Sequence, residues 1–305
     1  MSTTIELPAT ISTAQQWILA AEAAKAVGCA VRSYELAAWQ ARNDPTVRAG
    51  EPIPAEYRKR WYALFRGVKW HNSTWERLYP LCPVLQGMHD NILWTVLDPR
   101  IPSQVFDECL PTWRLNGKPL PMCSPSAMEA LCGCPTWQRL GNLLIILRSR
   151  SPQFGLLRCW VRKNFLAYCA LTSLPPYGHP AALVLYDLLT LLFQAAPQET
   201  PDNWPAYRWG YMKDRALFRR LGHFLIVQRW VDGWDDRCLM WLWHLVHKRN
   251  SLHLTRLCQA GDSESALLIP WRLATCVEKA LKCDQDFQLE FDWRGLRTAC
   301  RRSSA

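Results

Sequence analysis

The chain of 305 residues lacks any apolar run long enough to cross a bilayer. The longest, AALVLYDLLTLLFQAA from Ala181 to Ala196, is too short and carries Asp187 near its middle, so it predicts a buried core helix and no membrane insertion. The start, MSTTIELPATIST, has neither the basic nor the apolar region of an export signal, which predicts a reducing, cytoplasmic setting. Glycine-rich phosphate loops, dinucleotide fingerprints, nucleophile elbows and kinase signatures are all missing. Their absence removes the sequence grounds for proposing an enzyme, and no cofactor is expected. There is no internal repeat.

What is present is apolar and basic. Hydrophobic residues make up 49% and charged residues 20%, enough apolar surface to offset the entropy of ordering the chain. The length exceeds that of a usual single core, which predicts two packed units. Lys and Arg number 36 against 26 Asp and Glu, for a net charge of +10, a balance that favours polyanionic partners. Seventeen tryptophans are more than a core needs, and the surplus can anchor a protein partner or stack on bases.

Apolar residues recur at helical spacing through most of the chain, so the fold is read as mainly α. Two helical subdomains are expected, residues 1–98 and 136–305, joined by a Pro/Cys-rich connector over 99–135 that holds seven prolines and four cysteines. Two features interrupt the helices. Asn116-Gly117 predicts a short hairpin near 113–120, and Phe287, Leu289, Phe291 and Trp293, alternating with polar residues, predict a strand over 286–293 that pairs with something, the hairpin being one partner. On the helix over 212–230, Leu217, Leu221, Phe224 and Ile226 are expected inward, with Arg215, Arg219 and Arg220 outside. Asp235 and Asp236 sit where helix caps belong.

The segment Ala20 to Trp39 has the spacing of a helix-turn-helix: Ala24 where the helices approach, Gly28 at the turn, and Ala23, Val27, Cys29 and Tyr34 to lock the pair. Within it, GCAVRSYE resembles the turn and recognition-helix start of excisionase-like or MerR-like regulators. The resemblance covers about 20 residues and implies DNA binding, with Arg32, Ser33, Glu35 and Gln40 facing the groove. A plain helical hairpin would use the same small residues.

Glu56 to Tyr79 interleaves Arg58, Lys59, Arg60, Arg66, Lys69 and Arg77 with Trp61, Tyr62, Trp70 and Trp75, a mix suited to phosphate contact and stacking. Arg148, Arg150, Arg158, Arg162 and Lys163 form a second basic set, and Arg219 and Arg220 a third. Cys109, Cys123, Cys132 and Cys134 are the one candidate zinc set, although no pair has the two-residue gap of a zinc knuckle. His244 and His247, one helical turn apart, could recruit a metal but lack the zincin glutamate.

The reading is a non-enzymatic nucleic-acid-binding protein, DNA before RNA and duplex DNA as partner, acting in regulation, replication or a nucleoprotein or defence complex of a bacterium or mobile element. An interaction adaptor using exposed Trp anchors is the alternative, and a metal-dependent enzyme the third reading.

Overall fold

A computed structural model of the chain describes residues 7–122, 124–174, 179–247, 269–292, 295, 296 and 298–300. It is mainly helical, with a small antiparallel sheet of three strands. By contact the chain divides into two compact units, one of Met1–Asp98 with Pro175–Leu192, the other of Pro99–Leu174 with Phe193–Ala305. No helix among the described residues is long and apolar enough to cross a membrane.

The first unit opens with α1 (Leu7–Ala26), α2 (Ser33–Asn43) and α3 (Ala55–Phe65), followed by short helices α4 (Asn72–Leu78), α5 (Val84–His89) and α6 (Leu93–Val96). Helix α1 already runs through Ser12 and Thr13. It buries small residues, Ala20, Ala21, Ala23 and Ala24, which lets α3 and α5 approach its backbone closely. Gly28 takes φ +67°, a left-handed angle that stops α1, and the Cys29 N–H donates to the Ala24 carbonyl at 3.0 Å. Beneath α3 lies a tryptophan cluster: Trp61 meets Trp70 at 5.0 Å, Trp70 meets Trp75 at 4.8 Å, and Trp75 stacks on His89.

Residues 99–135 group with the second unit. They form α7 (Ser103–Cys109), β1 (Arg114–Leu115), β2 (Lys118–Pro119) and α8 (Pro125–Cys132), and bury Phe106, Leu110 and Trp113. Asn116 and Gly117 both adopt positive φ, the two left-handed angles of a tight hairpin turn. Strand β3 (Leu289–Glu290) lies antiparallel to β1, pairing Arg114 with Glu290 and Leu115 with Leu289. The expected strand is therefore shorter than 286–293, and Trp293 lies outside the described residues.

The rest of the second unit packs α9 (Trp137–Arg148), α10 (Gly155–Thr172), α12 (Arg208–Val227), α13 (Asp236–His247) and α14 (Trp271–Gln285). Helix α11 (His179–Ala195) precedes α12 in the chain; it is the predicted core helix, with Leu185, Leu188, Leu189 and Leu192 buried. The phase of α12 differs from expectation. Tyr211, Arg215, Phe218, Leu221 and Leu225 face inward and Leu217 faces solvent, because Arg215 finds acceptors inside. Its Nε donates to Ser173 Oγ at 3.0 Å and its Nη2 to the Ser173 carbonyl. Asp235 acts as a cap, its carboxylate accepting from the Cys238 N–H at 2.9 Å.

Candidate nucleic-acid interface

On α3 the apolar stripe Tyr57, Trp61 and Leu64 is buried, which forces the intervening residues outward. Arg58, Lys59, Tyr62 and Arg66 are exposed on the far side, and the Arg66 guanidinium lies 5.8 Å from the Tyr62 ring centre. The start of α2 comes alongside. There Arg32 occupies the cap position but has no acceptor atom and makes no side-chain cap, and Glu35 is the acidic residue of the first turn of α2.

Ser33 and Tyr34 of α2 and Ala55, Arg58, Lys59 and Tyr62 of α3 line one open depression of about 360 Å³. Tyr34 is 59% exposed and Tyr62 57%. Of the carboxylates nearby, Glu35 lies half-buried in the first turn of α2, and Asp44 and Glu56 are engaged. Asp44 accepts from the Thr46 hydroxyl at 2.6 Å and from the Tyr57 hydroxyl, and these two hydrogen bonds hold its carboxyl below the ordinary range. Glu56 pairs with Arg60 at 3.7 Å. Ser33, Arg58 and Lys59 thus come together, with Arg32 exposed next to Ser33 in the chain, Lys69 exposed and Arg60 half-buried.

Two expected members of this face are structural. Gln40 is buried, and its Oε1 accepts from Trp61 Nε1 at 2.9 Å, so it cannot reach a groove. Trp70 is buried in the tryptophan cluster and donates to the Arg60 carbonyl at 3.1 Å, so it is no stacking platform. The aromatic groups that do reach solvent are Tyr34 and Tyr62. Tyr62 was legible as the residue midway between Arg58 and Arg66 at helical spacing; Tyr34, expected to lock the helix pair with Val27 and Cys29, is instead exposed, and those two are only half-buried.

No known protein family, curated protein or solved structure matches this chain.

In the second basic set, Arg148 is sealed inside, 2% exposed, against Glu199. Arg158 is half-buried over the turn that follows α9, and Arg162 pairs with Asp202 at 3.4 Å. Arg150 and Lys163 are exposed, as are Arg219 and Arg220, the latter lying over the Phe224 ring.

The thiols Cys109, Cys132 and Cys134 are buried, and Cys123 lies outside the described residues. Burial pushes the Cys109 thiol up to about 11 and Cys132 well above its ordinary value, which keeps both protonated. Among the described residues no group of three His, Cys, Asp or Glu side chains is placed to hold a metal ion.

His244 and His247 do share a cavity, of about 410 Å³, with Trp160, Trp243, Cys276 and Cys283. His247 stacks flat on Trp243 at 4.7 Å, its Nδ1 2.8 Å from Asn164 Oδ1, and His244 Nδ1 sits 3.0 Å from the Met240 carbonyl. Both imidazoles are held as parts of the packing between α10 and α13.

Proposed function

We propose that this chain is a non-enzymatic nucleic-acid-binding protein whose ligand is duplex DNA, gripped by the face of α2 and α3. The observation that carries the reading is the depression in which Tyr34 and Tyr62 stand exposed between Arg58, Lys59 and the start of α2. Guanidinium and ammonium groups neutralise phosphates, and a tyrosine hydroxyl donates to a phosphate oxygen while its ring lies along the sugar. A helix N-terminus beside them adds partial positive charge. Arg32 and Ser33, first on α2, are the residues to reach base edges. A regulatory or nucleoprotein role in the cytoplasm fits such a binder.

The experiment is duplex affinity against salt. The logarithm of affinity should fall steeply with the logarithm of salt, and Arg58→Ala and Lys59→Ala should each lower the slope by about one phosphate contact. Affinity that is flat in salt, or unchanged in the Arg58→Ala/Tyr62→Ala double variant, overturns the reading.

One observation favours an interaction subunit as the second reading. Tyr207 and Trp209, at the start of α12, are 69% and 68% exposed, the kind of adjacent aromatic pair that anchors a protein partner. Loss of a co-purifying protein in Trp209→Ala, with duplex affinity intact, would favour it.

A further inference from the structure

Where α9 ends, the chain is held in a fixed turn. Asp107 Oδ1 accepts from the Ser149 hydroxyl at 2.6 Å and from the N–H groups of Arg150 and Ser151 at 2.6 and 2.8 Å. From the other side, Arg158 Nη1 donates to the carbonyls of Ser149 at 2.6 Å and Ser151 at 3.2 Å. The Arg148–Glu199 pair ties the same region to the helical turn Pro197–Glu199. Between these pieces lies a half-open depression of about 250 Å³, lined by Arg150, Arg158 and Arg162 with Ser149, Gln198 and Glu199.

The charges here do not balance internally. Glu199 is taken by Arg148, Asp107 by three donors, and Asp202 by Arg162. The Arg150 guanidinium has no hydrogen-bond partner among the described residues, and Arg158 uses only Nη1. Arg162 Nη1 donates to the Gln198 carbonyl at 3.4 Å and its Nε, sealed from solvent, faces Asp202 Oδ1 at 3.4 Å, which leaves Nη2 without a hydrogen-bond partner among the described residues. Donor atoms on three guanidinium groups are therefore left over at one concave place.

We infer that this depression binds a phosphate monoester, through a forked pair of hydrogen bonds from Arg150 and further ones from the remaining N–H groups of Arg158 and Arg162 to the terminal phosphoryl oxygens. Planar guanidinium forks match a tetrahedral oxyanion, and a dianion draws more from three of them than a carboxylate or a phosphodiester does. The lining of the depression offers no catalyst: the Ser149 hydroxyl donates to Asp107 and Glu199 is held by Arg148, so the site binds without hydrolysing. The ligand is a nucleotide or the 5′-phosphate of a nucleic-acid end. The inference does not rest on the α2–α3 reading, which uses other residues in the other unit.

The test measures binding of inorganic phosphate, a nucleoside 5′-monophosphate, and an oligonucleotide with and without its 5′-phosphate, by calorimetry. Saturable binding of phosphate and the nucleotide is expected, with the phosphorylated oligonucleotide binding tighter than its 5′-hydroxyl counterpart. Arg150→Ala and Arg162→Gln should each weaken these by about tenfold or more, the loss of one charge-assisted hydrogen bond. Arg58→Glu, which abolishes the proposed duplex binding, should leave the binding of phosphate and of the nucleotide unchanged. Tighter binding of the nucleotide than of the phosphorylated end assigns the site to free nucleotides, and the reverse assigns it to nucleic-acid ends. The inference is overturned if wild-type protein binds none of the three phosphorylated probes saturably. It is equally overturned if Arg150→Ala and Arg162→Gln both leave binding intact, or if the two oligonucleotides bind alike and the nucleotide does not bind saturably. Arg150 makes no side-chain bond within the fold, so Arg150→Ala reports on binding even if Arg162→Gln unfolds the protein.

Discussion

Arg148 Nε lies 3.2 Å from Glu199 Oε2, with both side chains almost wholly buried although 51 residues separate them in the chain. The rest of the guanidinium is also satisfied, Nη2 donating to the Ile101 carbonyl at 2.6 Å and the plane lying over the Phe106 ring. Removing one member of such a pair strands the other without water. Arg148→Met is therefore expected to cost about 3–5 kcal/mol in urea unfolding, with the Arg148→Met/Glu199→Leu double variant costing less than the sum of the single changes. Strict additivity would show that the two do not interact.

The pH dependence of that pair opposes the usual acid response. Burial pushes the Glu199 carboxyl up from its ordinary value of 4.5, only partly offset by the attraction of Arg148. A raised carboxyl contributes stability that is full below the unfolded value and lost as pH rises through the folded one. The deficit of Arg148→Met should thus shrink on acidification, as Glu199 takes up a proton. Asp44 runs the other way: hydrogen bonds from Thr46 and Tyr57 lower its carboxyl below 3.8, so its contribution is present above that value and lost as pH falls. Unfolding measured from neutral to acid pH should show a shallower acid limb in Asp44→Asn.

Gln40 separates fold from function at the proposed interface. Because it satisfies the buried Trp61 indole, Gln40→Ala is expected to destabilise the first unit by about 1–3 kcal/mol while leaving duplex affinity of the folded protein as it was. A selective loss of sequence preference, with stability untouched, would return Gln40 to the groove.

Thiol reactivity should divide by burial. Cys159, Cys276 and Cys283 are exposed and should react with iodoacetamide in the native protein. Cys109, Cys169 and Cys238, whose thiols burial pushes up to about 11, 12 and 12, should react only on unfolding. Mass spectrometry after brief labelling reads this directly, and native labelling of Cys169 would contradict the packing of α10 against α12.

Gly28→Ala places a side chain at φ +67° and is expected to cost about 1–2 kcal/mol, although no atom obstructs the added methyl. Gly87→Ala, inside α5 with open space around it and no positive φ, should instead be neutral or stabilising by up to about 1 kcal/mol. Equal denaturation midpoints for the two variants would remove the conformational argument for the turn after α1.

Much of the fold was legible because it depends on near neighbours in the chain. The stripe of Tyr57, Trp61 and Leu64 announces α3 and the faces of Arg58 and Lys59, since a helix turns 3.6 residues at a time. Asn116-Gly117 announces the hairpin, since few other residues accept its two left-handed angles. The alternation around Leu289 announces β3, and the tertiary structure sets it on the free edge of β1 rather than that of β2. What the tertiary structure decided is where each charge and indole ends up. Arg148 and Arg215 look like surface cations in sequence and are buried because Glu199 and Ser173 arrive beside them from elsewhere in the chain. Trp70 looks like a stacking platform and is core, while Tyr34 and Tyr62 hold that position. Local periodicity is written in short-range spacing, but the partner of a polar side chain is set by packing at long range, and that distinction separates the determined helices of this protein from its candidate sites.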